Sequence, residues 1–116
     1  MSLLDTTQLA LEAAMQGSML RQSLLTNNLA NVDTPGYQRQ DVDFQGTLNA
    51  AMQAGQPLDT LSFNTVTDPQ VMRADGNGVD AEKEQAYLAE NGLLYQQLTQ
   101  VAAARDQILQ TAIGNR

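Results

Sequence analysis

Apolar residues recur at helical spacing over two long stretches at the ends of the chain, separated by a middle third in which no period holds. In the first stretch Leu4, Leu11, Ser18, Leu25 and Val32 fall seven apart, and Gln8, Met15, Gln22 and Leu29 form a second row four positions on. Together they make one partly polar stripe on a helix over roughly residues 3–31, of the kind that lies against another helix. One face of an ordinary core helix would look the same. Asp33-Thr34-Pro35-Gly36-Tyr37 closes the stretch. Proline disfavours the α conformation at Thr34, and Pro35-Gly36 suits the centre of a type II turn, whose second central residue takes positive φ.

The second stretch predicts a helix over residues 80–113. Asp80 is placed to cap it, and Glu82 and Glu84 sit in a first turn where the helix dipole favours negative charge. Tyr87, Leu88, Leu94, Tyr95, Leu98, Val101, Ala102, Ile108, Leu109 and Ala112 share a face, interrupted by Asn91 and Arg105, with Gly114 past the end. Such a helix is about 50 Å long, whereas a compact chain of this size is roughly 35 Å across. It needs a partner: the first helix, parallel or antiparallel, or helices of neighbouring subunits.

Between them the pattern is weaker. Residues 43–54 read as a short helix, with Leu48 and Met52 on one face and Gly55 after it. Residues 56–72 alternate loosely through Leu61, Phe63 and Thr65, with Pro57 and Pro69 interrupting, which predicts a short hairpin or an irregular extended stretch. Asp75-Gly76-Asn77-Gly78 marks a break. The expected fold is therefore mainly α, with a coiled-coil-like pair of terminal segments (1–33 and 80–116) joined by an irregular middle (34–79).

With 116 residues there is room for one small domain. Five aromatic residues and no Trp leave Leu, Ala, Met and Gln to fill the core, a composition of long helices. A net charge of −7 with six scattered basic residues argues against nucleic acid and anionic membrane surfaces. No apolar run reaches the ~20 residues of a membrane-spanning helix, and residues 1–5 lack the basic start of a cleaved secretory signal.

Catalytic chemistry finds little to work with, since Cys and His are both absent. Asp41 with Asp43, and Glu82 with Glu84, are pairs of carboxylates that read as solvated surface charge rather than acid–base groups. A calcium loop starting at Asp75 fails at its sixth position, Asp80, and at its twelfth, Ala86. Neither a catalytic residue, nor a cofactor, nor a metal site is expected.

The run from Leu25 to Arg39, Leu-Thr-Asn-Asn-Leu-Ala-Asn-Val-Asp-Thr-Pro-Gly-Tyr-Gln-Arg, resembles the signature shared by flagellar rod and hook proteins. Asn27, Asn28, Leu29, Ala30, Asn31, Thr34, Pro35, Gly36 and Tyr37 carry it. The later block Asp75-Gly76-Asn77-Gly78-Val79-Asp80, then Asn91 and Tyr95, is similar to the closing segment of the rod proteins. Asp41-Val42-Asp43-Phe44 and the short middle resemble the proximal rod members in particular. This resemblance implies a structural subunit of a hollow helical drive shaft required for motility, located in the basal body. It implies terminal helices paired in the rod's inner layer, with assembly carried by the stripe of Leu4, Leu11, Met15, Leu25, Leu29, Leu94, Tyr95, Leu98, Val101, Ile108 and Leu109. It further implies export through the flagellar type III apparatus without a cleaved signal, and contact with the FliE and FliF base and other rod subunits. The alternative from another class is a cytoplasmic helical adaptor or export chaperone. The signature also has a physical reading: amides on the last turns of the first helix can tie the helix end to the following turn or to a neighbour, or simply supply polarity there.

Overall fold

The computed structural model describes residues 3–67 and 79–114, with side chains described from Thr6. The predicted break at 75–78 and the end of the 56–72 segment lie outside the described residues. Three helices and a minimal sheet make up the rest: α1 (Leu3–Ala30), β1 (Gln40–Asp41), α2 (Phe44–Gln53), β2 (Val66–Thr67) and α3 (Ala81–Gly114). The fold is mainly α with two long paired terminal helices, as expected, and α3 runs one residue further than expected, through Gly114.

The long helices are antiparallel. Gln8 meets Arg105, Ser18 meets Asn91 and Asn28 meets Glu84, so position rises along one helix as it falls along the other. The molecule measures 65 × 27 × 15 Å with a radius of gyration of 17.8 Å, against about 13 Å for a compact chain of this length. It is a rod-shaped hairpin with its core at one end. Leu25, Val42, Phe44, Ala51, Leu58 and Val79 are buried where α2, β1 and α3 meet the middle and second half of α1, with Ala13 buried further along that helix. Towards the other end only two helices remain.

Local signals set α2. The Asp43 carboxylate accepts from the Gly46 amide at 3.0 Å, capping the helix start, and Gly55 follows its end at φ 69°. Its inward face differs from the expected one: Phe44 and Ala51 are buried and Leu48 half-buried, while Met52 is exposed. The reason is a close crossing. A Cβ built at Gly17 of α1 would lie 2.5 Å from the Phe44 Cβ, so only glycine lets Phe44 settle against α1 and meet Phe63 edge to face at 6.4 Å. Gly17→Ala is expected to cost about 1–3 kcal/mol, as forced overpacking does, despite alanine's better helix propensity. Urea unfolding checks this, and equal or higher stability would show that α2 can move away freely.

The small sheet is antiparallel, Gln40 opposite Thr67 and Asp41 opposite Val66. It is not a local hairpin within 56–72. Its strands bracket α2: Val66–Thr67 pairs with Gln40–Asp41 upstream of that helix, and the alternating residues 61–65 stay outside the sheet.

Candidate functional site

The motif at the end of α1 folds into a closed hydrogen-bond network. Asn28, fully buried, acts as the clamp: its Nδ2 donates to the Gln40 carbonyl at 2.8 Å and its Oδ1 accepts from the Gln40 amide at 3.0 Å. An amide side chain can thus mimic a strand neighbour and hold β1 along the helix. Tyr37 Oη donates to Asn28 Oδ1 and accepts from Asn27 Nδ2 at 3.0 Å. Asn31 Nδ2 donates to the Asn27 carbonyl at 2.9 Å, while Thr34 Oγ1 donates to Asn31 Oδ1 at 3.1 Å. The amides thus tie the helix end to the turn and to β1, with the Asn27 carbonyl accepting from both the Asn31 side chain and the Asn31 backbone amide. The Tyr37 amide donates back to the Thr34 carbonyl at 3.2 Å and Gly36 sits at φ 77°, which is the expected type II turn. Leu29 is half-buried and Ala30 exposed beside it, and Pro35 is exposed at the turn.

Behind the clamp lies an ion network built partly from carboxylates that the sequence pattern alone assigns to the surface. Arg39 is buried and donates through Nε to Glu84 Oε1, through Nη2 to Glu84 Oε2 at 3.4 Å, and through Nη2 to Asp41 Oδ2 at 3.1 Å. Arg21 pairs with Asp41 Oδ1 at 2.9 Å. Tyr87 packs beneath both guanidinium groups, 5.4 Å from that of Arg21 and 5.2 Å from that of Arg39. Glu84, only 1% exposed, is thus no solvated first-turn carboxylate. The network joins α1, the 39–41 segment and α3, and a chain of this size cannot leave such charges buried without partners.

Burial pushes the Asp41 carboxyl up, but hydrogen bonds from Arg21, the Val42 amide and Arg39, with the charge of Arg21, outweigh it and hold the group below the ordinary aspartate value. A carboxylate held low in the folded state contributes stability that is present above its unfolded pKa and lost as pH falls through its folded one. Thermal melts are therefore expected to show a steeper loss below about pH 4 for the native chain than for Asp41→Asn. Parallel acid limbs would contradict this.

The seam between α1 and α3 is polar where the stripe looks interrupted. Glu84, Asn91, Leu98 and Arg105 are spaced by heptads along α3 and face α1. Asn91, 1% exposed, donates to the Ser18 carbonyl at 2.9 Å and to Gln22 Oε1 at 3.0 Å, and accepts from Ser18 Oγ. Arg105 donates to Gln8 Oε1 at 3.0 Å. Each polar position in one helix thus meets a polar position in the other, which fixes one axial alignment. Of the expected assembly residues, Leu25 is fully buried, while Leu11, Met15, Leu29, Leu94, Tyr95 and Leu98 are half-buried. Val101, Ile108 and Leu109 are exposed instead. The Leu4 side chain lies outside the described residues.

Among the described residues no group of three or more Asp or Glu side chains could hold a metal ion. No helix among them is long and apolar enough to cross a membrane.

The fold and the network describe a slender structural protein: a two-helix rod with a braced elbow and unpartnered apolar side chains along α3. Residues 8–38, covering most of α1 and the turn network, match the family model "Flagella basal body rod protein". The flagellar basal body rod protein FlgB of Bacillus subtilis is 30% identical over 97% of both chains. FlgB of Escherichia coli is 35% identical over 66% of this chain and 70% of its own length, and FlgB of Salmonella typhimurium 34% over the same shares. The chain belongs to the FlgB family of flagellar basal body rod proteins. It is a structural subunit of the proximal rod, and the adaptor or chaperone reading has no support beside it.

Proposed function

We propose that residues 1–33 and 80–116 lie in the inner, helix-paired layer of the rod while the turn network aims residues 34–79 outward. In this reading the chain contacts the FliE and FliF base on one side and further rod subunits on the other. It arrives through the flagellar type III export apparatus with its N-terminus uncleaved and assembles as a helical oligomer, and its role is mechanical rather than catalytic. The observation that carries the reading is the closed network of Asn27, Asn28, Asn31, Thr34 and Tyr37. It gives the family's signature a single mechanical role, a rigid change of chain direction at the end of α1.

Gly36→Val tests it. A Cβ at Gly36 would meet nothing within 4 Å, so the site is open to a side chain. Valine adds backbone strain at positive φ, about 1–3 kcal/mol, and redirects the turn. Swimming halos are expected to collapse while the amount of protein in culture supernatants stays near normal. Normal swimming would mean that the direction set by the turn does not matter to assembly.

A further inference from the structure

An open groove of about 910 Å³ runs between α1 and α3, walled by Leu20, Ser23 and Leu24 on one side and by Gly92 and Tyr95 on the other, with Met19 at its lip. Its floor is bare at Gly92, where a Cβ would meet nothing within 4 Å. None of its lining residues is charged. The last two turns of α3, residues 107–114, are also uncharged and, among the described residues, hold the densest run of exposed large apolar side chains. Ile108, Leu109 and Ile113 are 67%, 37% and 65% exposed, three of the eight large apolar side chains exposed among the described residues.

We propose that this groove receives the last two turns of α3 from a second copy of the chain. The proposal rests on the reading of the chain as a rod subunit and specifies one contact between neighbours.

Three observations select this occupant. The first is charge. In a chain of net charge −7 most faces repel their like, and a charged side chain in the groove would be desolvated without a partner. Two uncharged apolar surfaces meet without either cost. The second is reach. α3 is one unbroken helix, so its own tail lies about 18 Å along the axis beyond the Tyr95 end of the groove. A molecule cannot fill its own groove. The third is length. The α1 wall from Ser18 to Ala30 extends about 18 Å, and an eight-residue tail about 12 Å, so the tail fits within it. The two surfaces differ and lie at different places on the molecule. The contact is therefore heterologous, and repetition extends it into an open chain of subunits rather than closing a dimer.

The natural chain has no cysteine, so two can be placed without background. Ser23→Cys puts a thiol in the groove wall and Ile113→Cys one on the tail. The double variant is expressed in a strain lacking its own copy, and purified basal bodies are oxidised. A ladder of disulfide-linked dimers, trimers and higher species is expected, while each single variant gives dimers at most. Basal bodies that contain the double variant but yield no ladder would overturn the groove contact and leave the rod reading intact. If the double variant fails to enter basal bodies, oxidation of the concentrated purified protein decides in the same way, by a ladder or none. Absence of the unsubstituted chain from basal bodies, by immunoblot, would instead remove the rod reading.

Discussion

Arg39→Leu is expected to destabilise the chain by about 3–5 kcal/mol, the usual cost of leaving one member of a buried ion pair alone. Glu84 is the group left behind. It is 1% exposed, and its other side-chain partner is Asn28 Nδ2 at 3.4 Å, too weak to balance a full charge. Asp41 would keep Arg21, so the loss falls mainly on the junction with α3. Glu84→Leu should cost less, because Arg39 keeps Asp41 among its partners. The double variant carries the information. Apolar replacements for a buried pair are often neutral, so Arg39→Leu with Glu84→Leu should recover most of the loss. Urea unfolding of the four proteins closes the cycle. Additive losses would mean that the two residues stabilise the fold independently and that the pair is not the brace.

Leu25→Asp is expected to be as damaging and to act at two levels. Leu25 is fully buried on α1 at the end of the molecule where the core lies, and an unpaired carboxylate there costs several kcal/mol after relaxation. The isolated chain should lose most of its cooperative unfolding, and a strain carrying it should build no rod. Leu98→Asp differs in kind. Leu98 is half-buried, beside Ala14, Phe44 and Leu94 in a small cleft, so a carboxylate there keeps some water and the isolated chain loses less. Assembly should still fail if that face meets a neighbour. Gln97, exposed on the same helix, supplies the control: Gln97→Asp should cost under ~0.5 kcal/mol. Complementation with basal bodies counted after purification reads the outcome. Equal complementation by all three would mean that neither surface is used in the rod.

Much of the fold is written locally. The limits of α1, the Gly55 end of α2, the Asp80 cap of α3 and the Pro35-Gly36 turn each depend on a few adjacent residues, and each is where the sequence places it. The Asp80 carboxylate accepts from the Glu82 amide at 3.0 Å, as the capping pattern requires. Pairing of polar groups over long separations leaves no such local mark. Asn91 and Arg105 look like interruptions because an apolar stripe records only apolar positions, whereas their partners Ser18 and Gln8 lie 73 and 97 residues away. Glu84 carries the same signature as any first-turn glutamate, and only Arg39, 45 residues upstream, shows that it is inside. A heptad count that admits polar residues finds Glu84, Asn91, Leu98 and Arg105 as one row. Gly17 gives no signal at all, since its role is a contact with Phe44.

If the chain works as a braced antiparallel hairpin inside the proximal rod, its two long helices must stay together after assembly. An electron-microscopy map of purified basal bodies, resolved to side chains, shows directly whether they do. Helices of 28 and 34 residues are expected to lie antiparallel within each subunit at the base of the rod, with Asn91 opposite Ser18 and Glu84 against Arg39. Terminal helices that separate and pair only with those of other subunits, leaving Asn91 and Glu84 with different partners, would contradict the braced hairpin.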